Sequence, residues 1–118
     1  MIVDDEEDLR YSISTLLKTE GYDMREASTR EDALKKLETE PVDLILLDIM
    51  MPGMRPIDFI GKIKSNPKLS SVKVAYLSAV SFTKESKNDL INKGLVVDYI
   101  TKPIDNEDFL SRVNRILS

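Results

Sequence analysis

The sequence predicts a single α/β domain, a parallel sheet covered by helices on both faces. Three observations carry this. Short apolar runs of strand length alternate with segments whose apolar residues recur at helical spacing, five of each in succession. The most apolar run, Leu44-Ile45-Leu46-Leu47, shows no in–out alternation and is bounded by Asp43 and Asp48, as expected of a central strand buried on both faces. The 118 residues make one domain of ordinary size, able to build a core without disulfide or metal. Alternation at this spacing implies βαβ units with right-handed crossovers.

Residues 1–4 form a brief apolar run ending in acid, so the chain is expected to begin part-way into its first strand. A helix is expected over 6–20, with Leu9, Ile13, Leu16 and Leu17 on one stripe, Asp5 as its cap, Asp8 three residues on, and Gly21 closing it. A second strand follows at 22–27. Residues 29–39 read as a helix with Ala33, Leu34 and Leu37 inward, closed by Pro41. Residues 43–48 are the central strand, and the Pro/Gly-rich stretch 50–56 is a loop. A helix over 57–65 turns Ile57, Ile60 and Ile63 inward. Residues 72–77 form a strand rich in β-branched and aromatic types. A mostly polar helix at 83–93 offers only Leu90 and Ile91. A strand at 96–101 and a helix at 105–117, with Phe109, Val113, Ile116 and Leu117 inward, complete the pattern. No repeat or linker interrupts it, so residues 1–118 are expected to be one domain.

Composition excludes several chemistries. With no cysteine and no histidine, there is no disulfide framework, thiolate site, Ser-His-Asp triad or histidine-ligated zinc. Seventeen Lys and Arg against 21 Asp and Glu give a net charge of −4, which disfavours direct nucleic-acid contact. No apolar run approaches about 18 residues, and the early Asp4 leaves no signal peptide in view, so a cytoplasmic location is expected.

Ligands of open α/β sheets bind outside the carboxyl ends of the strands. Those ends carry Asp4 and Asp5, Asp48, Ser78, and Lys102 before Pro103. Crowded carboxylates raise one another's pKa, and a divalent cation relieves the repulsion. An all-oxygen donor set points to a hard ion such as Mg²⁺. A metal with a lysine is equipment for phosphoryl transfer, and a carboxylate oxygen can serve as the nucleophile.

With these residues in register, the whole chain resembles the receiver domain of two-component response regulators. The resemblance rests on Asp4-Asp5, Asp48 in the run LLDIMMPGM, Ser78-Ala79, and Tyr99 followed by Lys102-Pro103. It implies a flavodoxin-like (βα)5 fold with strand order 2-1-3-4-5. It implies that Asp48 accepts the phosphoryl group, and that Mg²⁺ is bound by Asp5, Asp48 and the backbone carbonyl of Met50, with Asp4 holding a metal-bound water. Lys102 would pair with the phosphoryl oxygens, and Ser78 would bond them and draw the next loop inward. Tyr99 would then pass from an exposed to a buried rotamer, altering the surface of the fourth helix, fifth strand and fifth helix. The Lys102–Pro103 bond looks like the family's cis peptide. The implied partners are a sensor histidine kinase or phosphotransfer protein and a downstream output protein or domain, with a homodimer through that same surface. The implied role is a phosphoacceptor switch rather than an enzyme, in a stand-alone regulator or a piece of a longer one.

Each residue also has a plainer reading. Asp4-Asp5 could cap a helix, Asp48 end a strand, Ser78 serve structure, Lys102 precede a turn and Tyr99 pack amphipathically. The run Glu6-Glu7-Asp8 reads as a solvated helix start, and Met50, Met51 and Met54 as loop packing. Three other functions share parts of the pattern. A haloacid-dehalogenase-like phosphatase needs a second acid where Met50 stands, and room for a cap. A flavodoxin-like flavin carrier needs a phosphate loop after the first strand. A degenerate receiver that binds partners without phosphorylation is opposed by the full acid set.

Arg55-Pro56 departs from the family's usual acid and glycine, and residues 94–99 run about one residue long before the aromatic. Apolar Met50 and Val80, flanking the family's hydrolytic-water path, cannot orient that water. Slow self-dephosphorylation is therefore expected, and the expectation falls if neither Met50→Asn nor Val80→Glu shortens the phosphoryl half-life.

Overall fold

The structure, a computed structural model, describes residues 1–80 and 82–118. In chain order the elements are β1 (Ile2–Val3), α1 (Glu7–Thr19), β2 (Glu26–Ala27), α2 (Arg30–Leu37) and β3 (Leu44–Asp48). They continue with α3 (Pro56–Ser65), β4 (Lys73–Ser78), α4 (Lys84–Asn92), β5 (Asp98–Thr101) and α5 (Asn106–Leu117). The strands form one parallel sheet in the order β2-β1-β3-β4-β5. This is the flavodoxin-like order expected. The chain winds one way from β1 to β2 and the other way from β3 onward, so the crevice between β1 and β3 is the switch point.

β3 explains the two layers. All five of its residues are buried. Ile45 and Leu47 join Ala33, Leu37, Phe59, Ile60 and Ile63 on the face covered by α2 and α3. Leu44 and Leu46 join Ile13, Leu17, Phe109 and Val113 on the face covered by α1 and α5. The two-residue alternation of a strand sorts a continuous apolar run into both cores.

Helix ends follow local chemistry. Thr29 and Thr83 cap α2 and α4 by accepting from the Asp32 and Ser86 amides, and Asp105 accepts from those of Glu107 and Asp108. At the end of α1, Gly21 takes φ +91°, with Gly21 N–H donating to Lys18 O and Tyr22 N–H to Leu17 O, each at 3.0 Å. That left-handed closure favours glycine.

Several expectations are corrected. The N-cap of α1 is Glu6, with no side-chain cap bond; the Glu6 amide instead donates to Asp4 Oδ1 at 2.8 Å, and Asp5 does not cap. In α3, Ile57 is 46% exposed while Phe59 is fully buried. At about 100° per residue, Phe59, Ile60 and Ile63 share one face and Ile57 falls outside it. β2 pairs only at Glu26–Ala27 and β5 only from Asp98, both shorter than their apolar runs. β4 ends on Ser78. No residue of α4 is buried: Leu90 is half-buried and Ile91 37% exposed.

Candidate functional site

Four strand ends build the site. β1 runs into Asp4 and Asp5, β3 ends on Asp48, β4 on Ser78, and Lys102 follows β5. Each of the three aspartates offers a carboxylate oxygen, and these oxygens lie within 4.8 Å of one another. Asp4 and Asp48 are buried and Asp5 is exposed, so the cluster opens to solvent on the Asp5 side.

Asp4 is held from several directions. Its Oδ1 accepts the Glu6 amide, its Oδ2 accepts from Lys102 Nζ at 2.9 Å, and its carbonyl accepts from Arg10 Nη1 at 2.7 Å. Lys102 Nζ also stands 3.6 Å from Asp48 Oδ2 and 3.7 Å from Glu6 Oε1. Burial alone would pull the Lys102 amine down, yet the Asp4 hydrogen bond and the charges of Asp4, Asp48 and Glu6 together hold it above its usual value. Burial pushes the Asp48 carboxyl up, and the charges of Asp4 and Asp5 add to that push. The Met50 amide, donating to Asp48 Oδ1 at 2.9 Å, and Lys102 oppose it. Three crowded carboxylates, oxygen-only and facing one lysine, are a donor set that fits a hard divalent cation.

The structure brings Asp4, Asp5, Asp48 and Lys102 together. The Lys102–Pro103 bond is cis. Ser78 is fully buried at the rim, and its carbonyl accepts from the Lys102 amide at 2.7 Å. Tyr99 lies on the core face shared with Tyr76. Its side chain is turned inward and only 3% exposed. Val80 links the two expected switch residues: its amide donates to Ser78 Oγ at 2.9 Å, and its carbonyl accepts from Tyr99 Oη at 2.9 Å. Tyr99 also packs 4.9 Å from the Phe82 ring, with Lys87 Nζ 5.0 Å from its own ring centre.

Sequence reasoning missed Glu6, which faces Lys102, and above all Arg30. The Arg30 side chain is 1% exposed and runs beneath the loop after β3, donating to the carbonyls of Asp48 (3.0 Å), Met51 (3.2 Å) and Met54 (2.5 Å). A signal existed. A cation in the first turn of a helix opposes the macrodipole, and Arg30 stands there beside Glu31 and Asp32.

The acidic, oxygen-lined cluster with its one lysine stands at the switch point of a doubly wound sheet, where open α/β sheets bind their ligands. The model of the response regulator receiver domain matches residues 1–114, and the chain belongs to that family. It is 33% identical to the alkaline phosphatase synthesis transcriptional regulatory protein PhoP of Bacillus subtilis over 99% of its length, but spans only 47% of that protein. It is 27% identical to protein PilH of Pseudomonas aeruginosa, covering 100% of this chain and 96% of that one. Among solved structures it resembles the response regulator protein TrrA of Thermotoga maritima in complex with Mg(2+)-BeF. The TM-score is 0.78 at 30% identity, over 98% of this chain and 95% of that one. Among the described residues, no helix is long and apolar enough to cross a membrane.

Proposed function

We propose that this receiver domain, residues 1–118, takes a phosphoryl group onto Asp48 and passes the change to a partner through the surface of α4, β5 and α5. The observation that carries the reading is the cluster of Asp4, Asp5 and Asp48 oxygens within 4.8 Å, with Lys102 reaching both Asp4 and Asp48. Asp5, Asp48 and the Met50 carbonyl would hold Mg²⁺, with Asp4 holding a metal-bound water. When bound, the ion would neutralise charge among the carboxylates and on the incoming phosphate. The relative crystallised with Mg(2+)-BeF supports that choice of cation.

The donor would be a phosphohistidine of a sensor kinase or phosphotransfer protein, since this chain has no histidine. One Asp48 carboxylate oxygen forms the new P–O bond as the donor's P–N bond breaks, and the leaving imidazole takes up a proton. Lys102 turns from Asp4 and Asp48 to the phosphoryl oxygens. Ser78 Oγ accepts the Val80 amide and keeps its own proton for a phosphoryl oxygen. Through Val80 that contact bears on Tyr99, whose position shapes the α4–β5–α5 face offered to an output protein, an output domain or a second copy. The domain acts as a phosphoacceptor switch with no turnover substrate of its own, in the cytoplasm.

The test is intact mass after incubation with acetyl phosphate, with and without Mg²⁺. One phosphoryl group gained only with Mg²⁺, and absent in Asp48→Asn, is the expected result. No gain in folded protein refutes the reading and leaves a phosphorylation-independent binding module.

A further inference from the structure

The loop between β3 and α3 is gripped by two consecutive residues from the start of α2. Arg30 leaves the helix and spends two nitrogens on three carbonyls. Nη2 bonds Asp48, and Nη1 bonds Met51 and Met54. Its neighbour Glu31 takes the opposite kind of group from the same loop, with Oε1 accepting the Met54 amide at 2.9 Å. Met54 is thus held at both its carbonyl and its amide. Glu31 Oε1 also lies where any side chain at residue 53 would go: a Cβ there would stand 3.1 Å from it, at a glycine with φ +97°.

The arrangement is costly for a merely structural brace. All of Arg30's hydrogen-bond partners are neutral carbonyls, and its Nε finds none among the described residues. An apolar side chain could fill the same space without stranding a charge. What an apolar side chain could not do is fix three carbonyls of one loop at once. Those three carbonyls bracket Met50, whose amide donates to Asp48 Oδ1. The guanidinium fork is a rigid planar template matched to several acceptors, which a lysine ammonium is not.

We infer that Arg30, with Glu31 beside it, is a positioning clamp that presets the phosphoacceptor loop, holding the backbone of Asp48 and the turn around Met50 in the geometry used for Mg²⁺ and phosphoryl binding. The inference rests on the reading of Asp48 given above. Arg30 touches no reacting atom; it acts through the backbone of residues 48–54. At the far end of the loop, Arg55 pairs with Asp58 at the start of α3 rather than with the loop.

The test begins with the unaltered protein, whose failure to take up phosphate would sink the functional reading and not this one alone. Given uptake, folded Arg30→Met is expected to be phosphorylated about 10–100-fold more slowly at saturating acetyl phosphate, and to bind Mg²⁺ more weakly by a similar factor. Mg²⁺ binding is read by calorimetry on unphosphorylated protein. Exchange of the Met50 and Met54 amides, followed without Mg²⁺, should quicken. Arg30→Lys, which keeps the charge and loses the fork, should recover little of either. Rate and Mg²⁺ affinity within twofold of the parent in Arg30→Met would overturn the inference. So would full recovery by Arg30→Lys, which would leave only a charge effect. If Arg30→Met does not fold, Glu31→Ala decides. Its exposed side chain can be removed without opening the core, and Mg²⁺ affinity should fall about 2–10-fold. No change in that variant counts against the clamp.

Discussion

Two loops flank the acidic pocket, and they are built in opposite ways. The loop after β3 is held from outside by Arg30 and Glu31, and leads into α3, whose Phe59, Ile60 and Ile63 are fully buried. The loop after β4 shows fewer such bonds among the described residues. Val80 bonds Ser78 Oγ and Tyr99 Oη, and the helix that follows, α4, has no fully buried residue among those described and packs on the core through half-buried Leu90. Local stability tracks buried apolar contact, so the α4 side should open at lower free energy than the α3 side. The difference assigns labour within one small domain. The side that would receive the phosphoryl group is preset, and the side that would report it is lightly held, so a small differential contact can shift it.

The contrast should appear first in stability. Phe59→Ala removes a fully buried ring from α3 and is expected to cost about 3–5 kcal/mol by urea unfolding. Leu90→Ala removes the most buried apolar contact of α4, itself only half-buried, and is expected to cost about 1 kcal/mol or less. Comparable losses for the two would break the comparison, because α4 would then be as firmly packed as α3.

Gly53→Ala tests the braced loop itself. Residue 53 has φ +97°, where a Cβ costs about 1–2 kcal/mol. The added carbon would also meet Glu31 Oε1 at 3.1 Å and press on the bond to the Met54 amide. Unfolding free energy should fall by roughly that amount, and Met54 amide exchange should rise. Quicker exchange confined to α4 instead would mean that strain passes across the sheet and the two sides are not independent.

Most of this architecture was legible in the sequence because period and burial agree there. Leu44 to Leu47 can be little but a doubly covered strand, and the acids and lysine at strand ends follow from where such strands must stop. Ile57 misled because its apolar character outweighed its phase: Phe59, two residues on, takes the buried position. β2 was over-read at 22–27, since Tyr22 and Met24 are apolar for packing on α1 and α5 rather than for pairing. Arg30 was illegible for a different reason. Its three partners are backbone carbonyls, which have no sequence signature, and only its position in an otherwise acidic helix turn set it apart. Ser78 stands at the strand end where the sequence places it, but its link to Tyr99 through Val80 runs through backbone atoms and leaves no mark in the sequence.

The smallest expected effect is the sharpest probe of the lightly held side. Tyr99→Phe keeps the ring against Tyr76 and Phe82 and deletes only the bond to the Val80 carbonyl. A neutral hydrogen bond of this kind is worth about 0.5–1.5 kcal/mol net, so global unfolding should shift by no more than that. The local consequence is larger in kind. The Val80 carbonyl would lose the partner that ties it to β5, while its amide would remain on Ser78. Amide exchange should therefore accelerate in α4 and leave α3 unchanged. Lys87→Met, which removes the cation over the Tyr99 ring, should move the same amides by a smaller step, about 0.5–1 kcal/mol at most. If Tyr99→Phe instead speeds exchange in α3 and α4 alike, the bond stabilises the domain as a whole. Tyr99 would then be an ordinary core residue rather than the tie between the acidic rim and its reporting face.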